Sequence, residues 1–352
     1  MNKKTKELTM NKLTKIGLTA LAGSLATVAG AQAGAISVGG GADITWTKEQ
    51  SNSSSSGQSV TGNPLGWKNN LTFSYGGELD NGISWSANAY NSDAQALTSS
   101  NITFDLAGMG TLVIDNGAGG MGLDALDDKM PSAWEEAWDT GIDTGIRTVT
   151  GIHGSAAVSW TTPADMLPAG TSIKIAYTPR ADGGGMQGDK GASGPANSND
   201  KGDGMDINVS MAPVDGLGLF VGYSEVEQSQ GDDALQGTYG FTYAVGPVSF
   251  GAQRSYISYE NGATYTTVNY YENTNWAVAF NVNDNLSISY AEYESEEHLG
   301  HTGGQTAETD SLQLAYNLGG ATLKIADTET SDHAYAAGAE TSGTTVALSL
   351  AF

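Results

Sequence analysis

Residues 36–46 read ISVGGGADITW. Ile36, Val38, Gly40, Ala42, Ile44 and Trp46 share one parity, and Ser37, Gly39, Gly41, Asp43 and Thr45 take the other. Successive side chains of a strand point to opposite faces, so the stretch is a strand with one apolar and one polar face. The apolar set is short and ends on its aromatic residue, whereas a soluble sandwich would put large residues at the centre of a core. An outward apolar band with aromatic margins and a polar inside is the pattern of a transmembrane barrel strand.

The same period recurs at 67–75, 83–89, 102–106, 112–114, 156–160, 173–177, 205–211, 217–223, 239–243, 248–252, 276–282, 286–290, 312–316, 321–325 and 346–352. That makes sixteen strands. In hydrocarbon no water satisfies an open sheet edge, so such a set has to close. The connections alternate as well. Short ones fall at 76–81, 107–110, 162–170, 212–216, 245–247, 283–285 and 318–320. Longer polar ones fall at 48–66, 91–99, 116–154, 181–203, 225–234, 259–274, 294–310 and 328–342. Short turns on one side and long loops on the other match periplasmic turns and extracellular loops. The expected fold is all-β, a 16-stranded antiparallel transmembrane β-barrel, and the even count puts both termini on the short-turn side.

The longest connection, residues 116–154, lacks period-2 alternation and carries a helical signal. Ser132 and Glu135 have capping-box spacing, and Trp134 and Trp138 would share one helical face. It holds Asp124, Asp127, Asp128, Glu135, Glu136, Asp139 and Asp143 against Lys129 and Arg147. A partly helical, acidic loop of this length in an all-strand chain is usually functional. The expectation is that it folds into the lumen and constricts the pore. Gly117, Gly119 and Gly122 also spell a dinucleotide-binding fingerprint. Such a site needs a repeated βαβ pattern, which is missing, and the match arises easily among 48 glycines.

Lys12 and Lys15 precede a short apolar run that ends in Ala31-Gln32-Ala33, the form of a cleaved signal peptide over residues 1–33. Met10 is an alternative start. Residues 1–33 hold five Lys and one Glu, so 34–352 keep 10 of the 15 basic and 38 of the 39 acidic side chains, a formal charge of −28. Nucleic acid is a poor partner for that surface, since phosphate binding needs clustered Lys and Arg, and none is expected. With no cysteine, an exported chain has no disulfide framework. Its 15 Tyr and 7 Trp, spaced with period two, argue against an acidic disordered protein.

Over residues 34–352 the chain resembles the trimeric general diffusion porins of Gram-negative outer membranes. The resemblance rests on sixteen strands, the long acidic third external loop and a last strand, Thr344–Phe352, that ends on an aromatic residue. It implies a homotrimer in outer-membrane lipid and lipopolysaccharide, with passive diffusion of ions and small hydrophilic solutes. It also implies that the strand ending on Phe352 is read by the barrel-assembly machinery, and that the third loop faces basic side chains across the constriction.

Parity puts Lys68, Lys174 and Lys324 in the lumen, with Asp43, Asp105 and Asp206; Arg180 shares their parity at the outer end of its strand. Seven loop carboxylates against few cations predict cation preference, since patches of charge set ion preference at a constriction. Arg147 lies on the loop itself. Arg254 has lipid-facing parity, so a β-bulge near Gln253 is expected to turn it into the pore and bring Ile257 and Tyr259 outside. Small outward residues Gly40, Ala42, Ala87 and Ala89 suggest a subunit interface.

Other constellations carry less. His298 and His301 beside Glu296 and Glu297 would pair on a metal only if helical, and read as solvated loop residues. Asp200, Asp203 and Asp206 faintly suggest a calcium loop without its terminal bidentate Glu. No cofactor or specific metal is expected, with Ca²⁺ bridging the acidic loops nonspecifically as the one open alternative. A G-x-S-x-G elbow is missing and four histidines offer no nucleophile–base pair, so an enzyme is not expected. The alternatives are a solute-selective porin, or an adhesive surface protein anchored by a barrel with a plugged lumen.

Overall fold

The computed structural model describes residues 36–51, 63–92, 97–183, 201–228, 232–258, 268–299 and 304–351. The signal-peptide reading and Phe352 lie outside these residues. The described residues form sixteen strands: β1 (Ser37–Ser51), β2 (Leu65–Glu78), β3 (Ser84–Asn91), β4 (Leu97–Asp105), β5 (Thr111–Asn116), β6 (Ala156–Thr161), β7 (Ser172–Thr178) and β8 (Lys201–Val214). They continue as β9 (Leu217–Gln228), β10 (Ala234–Val245), β11 (Val248–Ser258), β12 (Val268–Asn281), β13 (Leu286–Leu299), β14 (Thr306–Asn317), β15 (Ala321–Ser331) and β16 (Glu340–Ala351). Each pairs with its sequence neighbours, and β1 pairs antiparallel with β16 from Gly41↔Ala351 to Ser51↔Thr341, which closes the barrel.

All sixteen expected strands are present, and parity fixes their faces. Ile44, Trp46, Trp67, Phe73, Tyr239, Trp276 and Leu312 are exposed on the outer wall, while Asn208, Gln236, Gln253, Asn275 and Gln313 are buried inside. The strands are longer than their apolar sets. Residues 268–274 and 294–299, expected in loops, continue β12 and β13. Ladder hydrogen bonds do not depend on what the side chains face, so a strand continues beyond the apolar band with polar residues on both sides.

The inside is not uniformly wet. Leu123, Leu126, Met130, Ala137 and Val149 of the long loop form an apolar cluster with Phe220, Ile257, Tyr271 and Tyr293 of the wall. Ile152 joins Ala157, Ala176 and Val226 in a second. Gly222 lets the first cluster form, since a Cβ there would overlap Leu123 and Leu126.

Candidate functional site

The loop between β5 and β6 lies within the barrel against one part of its wall. It is not the helix that Ser132 and Glu135 suggested: among its described residues only Leu123–Leu126 makes a short 3-10 turn. The backbone is satisfied by the wall instead. Gln313 Oε1 accepts from Trp134 N (3.1 Å) and Glu135 N (3.0 Å), and its Nε2 donates to Glu135 O (2.8 Å). Gln236 Oε1 accepts from Thr150 N and Gly151 N at 2.8 and 3.0 Å. Asp206 Oδ2 accepts from Leu123 N and Ile152 N at 2.6 and 3.2 Å. Ser289 takes Ala133 N, Gln253 donates to Leu126 O, and Asn273 donates to Arg147 O. A bonded backbone no longer needs helical pairing, and capping propensity is a weak force beside that.

The glycine-rich start is a turn series. Asp115 accepts from Ala118 N and Gly119 N, and Asp124 accepts from Gly120 N and Gly122 N. Gly117 and Gly119 take φ of +77° and +82°, which glycine adopts without steric cost. The N–H groups a phosphate would need are already held by carboxylates.

These anchors sort the seven loop acids. Asp124 is inside the loop fold, with His153 Nδ1 at 2.8 Å. Burial alone would raise its pKa, but the hydrogen bonds from His153, Gly120 and Gly122 hold it below the ordinary value. Glu136 is buried, accepting from Met130 N at 2.8 Å and from Asn275, and burial pushes its carboxyl well up. It faces the wall, so the expectation that it lines the constriction is corrected. Asp128, Asp139 and Asp143 are exposed, and Asp127 and Glu135 are half-buried. Burial, with Asp128 and Asp124 beside it, pushes Asp127 up to about 8. Burial also pushes Glu135 up to about 7, with Asp139 and Asp128 adding to the effect and Lys324 and Lys68 opposing it. Burial raises Asp128 and Asp139 too. Asp143 sits at the loop's far side, 3.6 Å from His333.

Lys68, Lys174 and Lys324 face inward. Lys174 Nζ holds Gly120 O at 3.1 Å, and Lys324 Nζ stands 5.5 Å from the Trp134 ring centre. Arg147 is exposed on the loop, its backbone N–H on Tyr335 Oη at 3.1 Å. Arg254 is not in the pore. Its register is unbroken, Arg254 pairing with Tyr239 and Thr274, and the side chain lies outside, 3.9 Å from Glu272. No bulge is needed, because Arg254 has an acidic partner outside and Ile257 is buried inside under the loop cluster.

The loop's hydrogen bonds to the wall reach β6–β8 and β10–β15, where Asn208, Gln236, Asn275, Ser289 and Gln313 are buried. On β2–β4 the inward Lys68, Ser84, Ser86 and Asp105 are exposed, and Ser74, Asn88 and Asn101 form a hydrogen-bonded polar row. An acidic loop thus stands within a closed barrel, across from an uncovered polar wall. Residues 17–340 match the family of Gram-negative porins. The chain belongs to that family.

This porin is also similar in structure to several solved ones. OmpF of Salmonella typhi in complex with daunomycin superposes with a TM-score of 0.63 over 90% of this chain and 97% of that one, at 12% identity. OmpT of Vibrio cholerae gives 0.62 over 92% and 99%, at 9% identity. An anion-selective porin from Comamonas acidovorans gives 0.59 over 91% and 100%, at 12% identity. No curated protein matches the sequence. The family and the closed barrel make the chain an outer-membrane channel protein.

The anchoring side chains were missed from sequence. Gln236, Gln253, Asn273, Asn275 and Gln313 put amides on the inward parity of β10–β12 and β14, but Asn88 and Asn101 do the same on β3 and β4, so amides alone were not a signal; the inward Phe220, Ile257 and Tyr293 beside them were. Asp203 and Asp206 lie on opposite faces of β8, and Asp200 and His301 are outside the described residues. His298 is in β13 rather than in a loop.

Proposed function

We propose that this porin is a water-filled channel for passive diffusion of ions and small hydrophilic solutes, with a preference for cations. One observation carries the open channel: the loop is packed onto β6–β16 and leaves Lys68, Ser84 and Ser86 on β2 and β3 exposed. A plugged anchor would bury both sides. The sign of selectivity follows from Asp127, Asp128, Glu135 and Asp139 on the loop, of which Glu135 and Asp139 feel Lys68; Lys68 is the inward cation of a wall that otherwise carries Ser, Asn and the acidic Asp105. The Comamonas porin has the same fold and is described as anion-selective, so the barrel itself leaves the sign open and the local charges decide it.

The channel works as a homotrimer surrounded by outer-membrane lipid and lipopolysaccharide. The outward small residues Gly40 and Ala42 of β1 and Ala89 of β3 support close approach of a second copy, whereas Ala87 is already buried within the chain between Tyr75 and Ile102. No cofactor enters this reading. The test is the reversal potential across a salt gradient in a planar bilayer, with single-channel steps in the same run. Steps in threes and a cation-selective potential are the expected result. Anion selectivity would keep the channel and move control to Lys68, Lys174 and Lys324, and no conductance from folded protein would favour the anchor.

A further inference from the structure

Beyond Trp276 and Tyr290, whose rings meet at 5.6 Å, the outer face of β12 and β13 turns from apolar to charged. There Glu272 pairs across strands with Glu296, and Tyr270 with His298. Glu296 and His298 are two apart on one strand and so share the face. His298 Nε2 lies 3.5 Å from Glu296 Oε1 and 3.8 Å from Glu272 Oε2, and the three ligand atoms all fall within 4.8 Å of one another. The imidazole stacks on Tyr270 (centroids 4.2 Å apart, 15° between planes), and Tyr270 lies against Tyr256 at 5.1 Å. The Nε2 atom is shielded and makes no hydrogen bond in this structure.

We propose that Glu272, Glu296 and His298 bind a divalent transition metal, of which Zn²⁺ is the representative, on the outside of the barrel. In a tetrahedral site with bonds of about 2.0–2.2 Å, neighbouring ligand atoms stand about 3.3–3.6 Å apart. The two distances from His298 are close to that edge, and the two carboxylate oxygens lie within 4.8 Å of each other. One imidazole with two carboxylates suits zinc better than calcium or magnesium, which take oxygen ligands. Three protein ligands leave one position for water. Stacking on Tyr270 fixes the ring plane, so the ligand is oriented before the metal arrives. Arg254, 3.9 Å from Glu272, offsets part of the carboxylate charge when the metal is absent. The metal would join the outer ends of β12 and β13 and face away from the pore, so it is independent of the channel reading.

The test is zinc titration of the folded, detergent-solubilised protein by calorimetry, with excess Mg²⁺ present to occupy diffuse acidic surface. Wild type is expected to bind one Zn²⁺ per chain, with a higher heat-unfolding midpoint when loaded. His298→Ala and Glu272→Gln are expected to lose at least tenfold in affinity and to lose the zinc-dependent shift. Single-channel conductance of the variants, expected unchanged, shows that they fold. Glu329→Gln, in the same outer charged zone, should bind as wild type. Absence of zinc binding under Mg²⁺, or equal binding by His298→Ala, would overturn the proposal.

Discussion

Gln313→Leu is the sharpest test of how the loop is held. The substitution keeps the size of the side chain and removes three hydrogen bonds to the loop backbone, at Trp134 N, Glu135 N and Glu135 O. At roughly 1 kcal/mol net each, the loss is about 3 kcal/mol of local anchoring. A factor of ten per 1.4 kcal/mol then makes local opening of residues 131–136 about 100-fold more frequent. The barrel itself should be intact, and the clasps of Asp206 and Gln236 continue to hold Leu123, Thr150, Gly151 and Ile152. Amide hydrogen exchange reads this directly. Protection at Trp134 and Glu135 should fall about 100-fold, and that at Thr150 and Gly151 should be nearly unchanged. Single-channel records should gain short-lived substates. If exchange at Trp134 and Glu135 changes only a few-fold, or changes equally at both ends of the loop, the discrete-clasp reasoning is wrong.

Cation preference should grow as pH rises from about 6 to about 9, because Glu135 near 7 and Asp127 near 8 ionise in that window; a plateau above pH 6 in the reversal potential would count against it. Both folded values lie above the ordinary 4.5 and 3.8, so the packed loop takes up protons and its packing weakens as pH rises from about 4 to 8; exchange protection of residues 123–136 measured across that range should decline. Lys68→Glu should strengthen cation selectivity severalfold, since Lys68 opposes the charge of Glu135 and Asp139, whereas Arg254→Glu on the outer wall should leave the reversal potential where it was. Glu136→Gln should preserve both selectivity and folding, because the site already favours the neutral acid, while Glu136→Ala removes an acceptor from Met130 N and costs about 1–3 kcal/mol in thermal unfolding.

The strands were legible because a barrel wall in a membrane writes itself at period two. Ile44 and Trp46 have to meet lipid, Asp43 and Thr45 have to meet water, and any slip of register would exchange them. The loop was legible only as an exception to that period. Its helical spacing misled, because Ser132 and Glu135 report local propensity, while Gln313, 178 residues from Glu135, supplies the partner that decides the conformation. Arg254 misled for the opposite reason. Parity gives its direction correctly; the bulge follows only if an outward arginine has to meet lipid and Ile257 has to lie outside, and neither holds. With β12 continued through Glu272, the outward arginine has its counter-charge on the neighbouring strand.

Parity in this chain therefore carries two messages on one face. On β2–β4 the inward residues are left to water, and on β8–β15 the same parity holds amides and hydroxyls that are consumed by the loop backbone. A hydrophilic inward residue is thus no sign by itself of a wet pore wall. What separates the two is the distribution of apolar residues among the inward set: Phe220, Ile257, Ala277, Ala291 and Tyr293 are inward and buried, and such residues would be costly against water. The side of the lumen that contains them has to be covered, and the long loop is the segment that covers it through Leu123, Leu126, Met130 and Val149. Among the described residues β2–β4 carry no inward aliphatic side chain, and the hydroxyl of their inward Tyr90 accepts from Asn101; on the function proposed above, the channel runs along that side, between Asp128 and Asp139 and the wall that carries Lys68.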